Sequence, residues 1–517
     1  MSCIFDFDKN AYSSAKACFW GGIAVHLFAL TNVMPNYDDI AAYPIGFGTG
    51  ISSGRWFLEI LNRFLIKNGL AFNLTYVNGA LFLLLLSLAA LLTVSVLKIK
   101  SRRLCVLIGI SYAVFPTATS ILFFRFTSHI YGLAILLSAA AVYFYFRGFR
   151  GAFLLSAVCI SLSLGIYQAY FPLTVALFLL VLVLRIFDEP AAAFRQNLKT
   201  CLCVLGTMLL GVIIYILLLK VCLRYYGVEL SGYQGIGDAS AYSLAALPAL
   251  LKDTVLPVLL LPVRDYCGIS ETAYLKFMYL LLALLAVYLL YANIRRTGLG
   301  AGNILLVVLL CALMSVAVNL IVLMAPKSTV YTMMVYGFVV LLWIPLTLAE
   351  RMPEREKTGK PAWSGKVSAI LVGLVLLCYA YFANANYASM HFAAKQTENY
   401  LTALTVRVMS TEGYDTDKRW ALMGEINDPL LEDRWRLANR YGGNTTGVEL
   451  INSYSRTDWI RVYFGYYLPL VSEEEKTALR ATEEYRQMPE WPNDGSIRVI
   501  DDIVVVKFSE DETAVQP

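Results

Sequence analysis

The chain has 517 residues, 58% of them hydrophobic and only 15% charged, with a formal net charge of +5. A soluble domain averages about 45–50% apolar and about 25% charged, so a soluble enzyme is excluded and no nucleic-acid partner is expected. Residues 1–383 carry 28 Lys+Arg against 15 Asp+Glu, while residues 384–517 carry 14 against 22, which marks a boundary between two kinds of domain.

In chain order, eleven apolar segments read as membrane spans: residues 17–34, 76–97, 104–116, 129–146, 152–165, 171–187, 200–219, 275–294, 303–325, 331–349 and 367–383. Each can satisfy its own backbone in lipid only as a helix. The first follows Lys16 without a small-residue cleavage site and reads as a retained anchor. Alternate short loops hold sixteen Lys and Arg, at 98–103, 147–150, 185–199, 295–296 and 351–366, against nine in the opposite, longer set. The richer set is assigned to the cytoplasm. The N-terminus is then cytoplasmic and the tail extracytoplasmic. The expected fold is a polytopic α-helical membrane protein with about eleven transmembrane helices, residues 1–383, and a small C-terminal extracytoplasmic α/β domain, residues 384–517.

Between the first two spans, NVMPNYDDIAAYPIGFGTGISSGRW places Asp38 and Asp39 just outside the membrane, followed by a Gly-rich stretch. A carboxylate there can take a proton from a sugar hydroxyl or position that hydroxyl. The bland alternative is a solvated pair at a helix end. The segment SGRWFLEILNRFLIKNG sets Trp56, Phe57, Ile60, Leu61, Phe64 and Leu65 near one face and Arg63 and Lys67 opposite, the pattern of an interfacial helix. Arg55 and Glu59 at its start are candidate substrate-binding residues. FFRFTSH sets Arg125 among aromatics near membrane depth with His129 one turn on. Charges at such depth serve function or snorkel to the interface.

YQAY, in a short turn before the span at 171–187, offers Tyr167 and Tyr170 to stack on a sugar and Gln168 to bond its hydroxyls. An aromatic belt would look the same. Arg224 and Tyr225 close the span at 200–219. The short stretch 255–263, broken by Pro257 and Pro262, reads as interfacial or re-entrant. Lys327 follows Pro326 on the outer side. The tail is read as a helix at 386–411, a strand at 419–426 and a closing pair at 496–500 and 503–508. The ten cysteines form no CxxC pair, and none follows Cys378, so they act as small apolar residues and the tail has no disulfide framework. Three scattered His and no HExxH argue against a zinc site, and no Gly-rich nucleotide-phosphate cradle occurs.

NxDD at the outer end of the first span, the Gly-rich loop, GRW opening an amphipathic helix, and a tail ending MPxWPxxGSIxVxxxxVVVKF resemble the bacterial Gtr type II glucosyltransferases, of the GT-C class of membrane glycosyltransferases. The resemblance covers most of the chain. It implies a GT-C-like catalytic domain in the bacterial inner membrane. The implied donor is a polyprenyl-phosphate sugar, glucose favoured, and the acceptor a cell-surface polysaccharide or lipid-linked glycan. Transfer would occur on the extracytoplasmic face, with inversion. In that class an Asp of the first external loop is the catalytic or acceptor-coordinating acid, which points to Asp38 or Asp39. The leaving phosphate needs a cation, drawn from Arg55, Arg125, Arg224, Arg264 or Lys327. Mg²⁺ or Mn²⁺ held by Asp38, Asp39 and phosphate is compatible with the pattern. The rival activities are a transporter or flippase of lipid-linked glycans, a polysaccharide polymerase or ligase, and a scaffold. Transport is disfavoured by the absence of an inverted repeat and of paired broken helices.

Overall fold

The structure, a computed structural model, describes residues 7–46, 50–231, 246–326, 328–352, 363–426, 438–444 and 450–510. The chain divides into two compact units. The first comprises Met1–Thr31, Phe47–Asn384 and Arg440–Gly443. The second comprises Asn32–Gly46, Ala385–Asn439 and Asn444–Pro517.

The first unit is a helix bundle. Its elements are α1 (Ala11–Thr31), α3 (Trp56–Lys67), α4 (Thr75–Val96), α5 (Arg102–Val114), α6 (Pro116–Ile121), α7 (Arg125–Arg147), α8 (Ala152–Ile166), α9 (Phe171–Asp188), α10 (Phe194–Tyr226), α11 (Leu247–Leu259), α12 (Ala273–Thr297), α13 (Ala301–Ala317), α14 (Ile321–Met324), α15 (Val340–Glu350) and the first half of α16 (Trp363–Met409). The helix α2 (Tyr37–Ala41) belongs to the second unit. Among the described residues, seven stretches are long and apolar enough to cross a membrane: Thr75–Val96, Arg102–Ile121, Arg125–Arg147, Gln168–Asp188, Phe194–Tyr226, Ala273–Thr297 and Trp363–Met409. The chain is therefore a membrane protein. The other four expected spans are also helical. α1 is less apolar, α8 and Tyr336–Glu350 are shorter, and the stretch expected at 303–325 divides into α13 and α14.

Sequence explains where these helices stop. α7, α10 and α12 each end on a glycine in the left-handed conformation, Gly148, Gly227 and Gly298, a conformation that costs glycine nothing and caps the last carbonyls. Pro116 opens α6, where its missing N–H is not needed. α1 lies against α4 and α5. The approach is close enough that a Cβ on Gly109 would collide with the Ser14 carbonyl, the small-residue contact by which lipid-bathed helices gain packing. His26 of α1 is a packed helix residue, buried and bonded through Nε2 to the Ala113 carbonyl oxygen at 2.8 Å.

In α3, Trp56, Leu58, Glu59 and Asn62 are buried, while Ile60, Phe64 and Ile66 are exposed, so polar side chains turn to the protein and apolar ones outward, as suits a helix at a lipid interface. One expectation changes. The span at 367–383 and the tail helix at 386–411 are one 47-residue helix, α16, because no Pro or Gly lies between Gly373 and Met409 to break it. The 255–263 stretch falls partly in α11, which runs through Pro257 to Leu259.

In the second unit a three-stranded sheet has the order β1 (Arg419–Met423), β3 (Ile503–Lys507), β2 (Ile497–Ile500). β1 pairs with β3 in parallel, Ala421 opposite Val505. β2 and β3 form an antiparallel hairpin with Val499 opposite Val504. Asp501 and Asp502 both have positive φ, as a two-residue hairpin turn of matching twist demands. The central strand is buried on both faces. One face packs Trp420, Leu422, Val504 and Val506 against Leu401, Leu404 and Val408 of α16 and against Ile40 of α2. The other packs Met423 and Val505 on Leu479 and Tyr485.

Candidate active site

Of the predicted site residues of the first unit, Arg55, Glu59, Tyr167 and Gln168 lie where α3, α7 and the turn before α9 meet. Gly54 holds φ +75, and a Cβ there would press on Gln168 Nε2 at 2.6 Å and the Tyr215 hydroxyl at 2.7 Å. Only glycine suits both the conformation and the approach. The backbone of this loop is read by side chains. Gln168 Nε2 donates to the Ser53 carbonyl at 3.0 Å and to the Tyr215 hydroxyl at 3.0 Å, which in turn donates to the Gly54 carbonyl at 3.1 Å. Arg55 follows. Its guanidinium lies over the Tyr167 ring, 4.5 Å from the centroid, and Nη1 donates to the Tyr131 hydroxyl at 3.3 Å. Tyr131 and Tyr167 stack at 4.8 Å and 8°. Tyr170, buried and edge-on to both, completes an aromatic floor.

The structure thus brings Arg55, Tyr167 and Gln168 together and adds Tyr131 and Tyr215, which sequence reasoning missed. Both are tyrosines inside apolar spans, and that polarity in lipid was the available signal. Glu59 is buried and faces the same loop, since a Cβ on Gly50 would collide with its carboxylate. It pairs with Arg63 at 2.7 Å, and Arg63 lies over the Tyr226 ring at 4.6 Å.

Arg125 is the first residue of α7 and is 2% exposed. Its carbonyl accepts from Asn78 Nδ2 at 3.2 Å and Ser128 Oγ at 3.1 Å. Its Nη1 and Nη2 are buried with no hydrogen-bond partner among the described residues. The same holds for Thr119 Oγ1, Thr127 Oγ1 and Nδ1 of half-buried His129. A desolvated cation without a partner is costly. The positive end of the helix dipole adds to that cost. An anion bound there would offset both costs, through its attraction to the guanidinium and to the helix N-terminus. Arg55 touches α7 at Tyr131, six residues and about 9 Å along the helix from Arg125.

Arg224 separates from this cluster. Arg224 and Tyr225 sit on the exposed last turn of α10, Tyr225 at 80% exposure. It is the next residue, Tyr226, that meets α3 through Arg63. Lys327 lies outside the described residues.

At the Arg125 end of the bundle the short segment Arg440–Gly443 is anchored by the loop before α12 and by the α5–α6 region. Arg440 pairs with Glu271, the Gly442 N–H donates to Thr332 Oγ1 at 2.9 Å, and Ser120 Oγ donates to the Gly442 carbonyl at 2.5 Å. Burial raises the Glu271 carboxyl above the ordinary carboxylate range, and Arg440 opposes that shift.

Asp38 and Asp39 belong to the second unit. Both lie in the first turn of α2, where Asn36 Oδ1 accepts from their N–H groups at 3.0 and 2.8 Å. Asp39 is buried. Asp38 is half-buried, and its Oδ1 accepts from the Tyr454 hydroxyl at 3.0 Å. Tyr454 also lies edge-on to Tyr37 at 6.2 Å. No group of three or more His, Cys, Asp or Glu side chains converges among the described residues. Asp38 and Asp39 offer carboxylate oxygens, the donor type that Mg²⁺ and Mn²⁺ take.

Neither a curated protein nor a solved structure matches the chain. The profile of the family described as Glucosyl transferase GtrII matches residues 27–342, more than half of the 517. The match includes every candidate residue named above from Asp38 to Lys327 and stops before the tail motif. The chain belongs to the GtrII glucosyl transferase family, and is a glycosyltransferase of the membrane.

Proposed function

We propose that the chain moves a sugar, glucose favoured, from a polyprenyl-phosphate donor to a cell-surface polysaccharide on the extracytoplasmic face of the inner membrane, with inversion at the anomeric carbon. The observation that carries this reading is Arg125, a buried guanidinium at the start of a membrane helix with two nitrogens that have no hydrogen-bond partner among the described residues. A phosphate on a lipid is an anion that can reach such a depth, and Arg grips phosphate bidentately.

In the reaction the acceptor hydroxyl oxygen bonds to the anomeric carbon. Its proton passes to the carboxylate of Asp38 or Asp39. The bond from that carbon to the phosphate oxygen breaks, and the electron pair leaves with polyprenyl phosphate, whose charge Arg125 stabilises. The Tyr131–Tyr167 stack and Gln168 supply a ring face and a polar group of the kind sugars bind. Arg55, held over Tyr167, is a second cation for the donor. If Mg²⁺ or Mn²⁺ takes part, Asp38 and Asp39 are its protein ligands, and EDTA then abolishes transfer.

The test is release of polyprenyl phosphate from synthetic polyprenyl-phosphate-glucose by the purified protein. Asp38→Asn and Asp39→Asn are expected to cut turnover, by about 10²–10⁴-fold for the one that accepts the proton, while membrane insertion stays normal. No release with any lipid-linked sugar and an acceptor extract would move the assignment to a transporter or a scaffold. Full activity in both variants would remove the carboxylate pair from the mechanism.

A further inference from the structure

The opposite end of α7 holds a second group of cations, around a cavity of about 340 Å³ where the N-terminus of α1, the C-terminus of α4 and the C-terminus of α7 meet. Lys98, Lys100 and Arg147 line it, with Asp8 the one acidic group among the lining residues and Tyr143 on its wall. Its other side is apolar, formed by the end of α4 and by Phe146. α7 is 23 residues long, so this cavity lies about 33 Å from Arg125 along the helix axis, which is the thickness of a hydrocarbon core. The two sites therefore open at opposite faces of the membrane.

Positive charge at a helix end is often only a topology signal. Two features exceed that role. Lys98 has φ 54, a left-handed conformation that glycine adopts freely and a side-chain-bearing residue only at a cost. The segment carrying it is also pinned: Asn10 Nδ2 donates to the Lys100 carbonyl at 2.8 Å, and the N–H groups of Lys100 and Ser101 donate to Glu350 Oε1 at 2.7 and 3.0 Å. Arg147 is braced by Tyr143, its Nε donating to the hydroxyl at 2.9 Å. Asp8 Oδ1 accepts the Asn10 N–H at 2.7 Å, which turns the acidic group toward its own loop. Neither lysine is in an ion pair among the described residues. A retained charge, a fixed backbone and a half-apolar cavity at the membrane boundary are the makings of a ligand site.

We infer that this cavity binds the phosphate headgroup of an anionic membrane lipid, with the phosphate between Lys98, Lys100 and Arg147 and the glycerol end against the apolar wall. The site is separate from glycosyl transfer. It rests on the chain being a membrane protein and not on the donor or acceptor proposed above.

The experiment uses the full chain in detergent, titrated with phosphatidylglycerol, phosphatidylcholine or inorganic phosphate while the thermal midpoint is followed. Phosphatidylglycerol is expected to raise the midpoint by about 2–4 °C, and the other two to leave it in place. Lys98→Gly, which removes the cation and relaxes the backbone, and Arg147→Gln are each expected to abolish that shift. Equal shifts from the two lipids would overturn the inference, as would a shift that survives both substitutions. The same shift from inorganic phosphate would assign the cavity to a soluble anion instead of a lipid.

Discussion

Helices α9 and α10 are nearly the same object in sequence. Both are long and apolar, yet most of the first is buried within the protein and most of the second is not. α9 is wrapped by α7, α13 and α15, whereas α10 runs along the outside of α8. In lipid a fully apolar helix is content in either place, so hydropathy does not sort centre from rim. The ends differ as well. The turn that opens α9 holds Tyr167 and Gln168 in a bonded network, which α10 joins only from within its length, through Tyr215, while Arg224 and Tyr225 in its last turn are exposed.

That contrast can be broken by substitution. The largest effect is expected at Arg125. Arg125→Gln should lower turnover by about 10²–10³-fold while leaving the thermal midpoint of the ligand-free protein unchanged or raised, because it removes an uncompensated buried charge. Lower stability together with intact turnover would mark Arg125 as structural. Gly54→Ala comes next. The left-handed backbone alone costs about 1–2 kcal/mol, and the added methyl displaces Gln168 and Tyr215, so both stability and turnover should fall. A midpoint equal to that of the parent chain would show that the loop relaxes freely.

Tyr167→Ala is expected to cost roughly tenfold in kcat/KM by freeing Arg55, whereas Tyr167→Phe keeps the ring under the guanidinium and most of the activity. If the two substitutions behave alike, the contact with Arg55 has no bearing on transfer. The smallest effect is expected at the rim. Arg224→Ala and Tyr225→Ala should stay within about threefold of the parent, in line with exposed positions that cost little when changed. A large loss there would bring the end of α10 back into the site.

Much of the bundle was legible because a run of apolar residues has few alternatives in lipid. Among the described residues, seven of the eleven expected segments fall in stretches long and apolar enough to cross a membrane. Less legible was anything set by contact between distant residues. α3 shows periodicity, but periodicity does not say whether the apolar face meets protein or lipid, and Glu59 and Asn62 turned inward. The break expected between residues 383 and 386 followed a change in composition, and composition does not interrupt a backbone that carries no Gly or Pro there. Asp38 and Asp39 were visible as a motif. That Ile40 beside them packs in one core with Trp420 and Phe508 was not, because it depends on pairing residues nearly 400 positions apart. Arg125 was singled out by its aromatic neighbours, but its orphan nitrogens are a property of three-dimensional surroundings.

The distribution of sulfur has a practical consequence. The described cysteines are all unpaired, lie between Cys18 and Cys378, and belong to the bundle, and no cysteine follows in the sequence. The tail can therefore mature in an oxidising space without a partner to mispair with and without an oxidase to assist it. It is also a silent background for thiol chemistry. A single cysteine placed at the exposed tip of the β2–β3 hairpin, at Asp501, would be the one thiol of the tail, and its reaction with a membrane-impermeant maleimide on intact cells would report which side of the membrane the tail occupies.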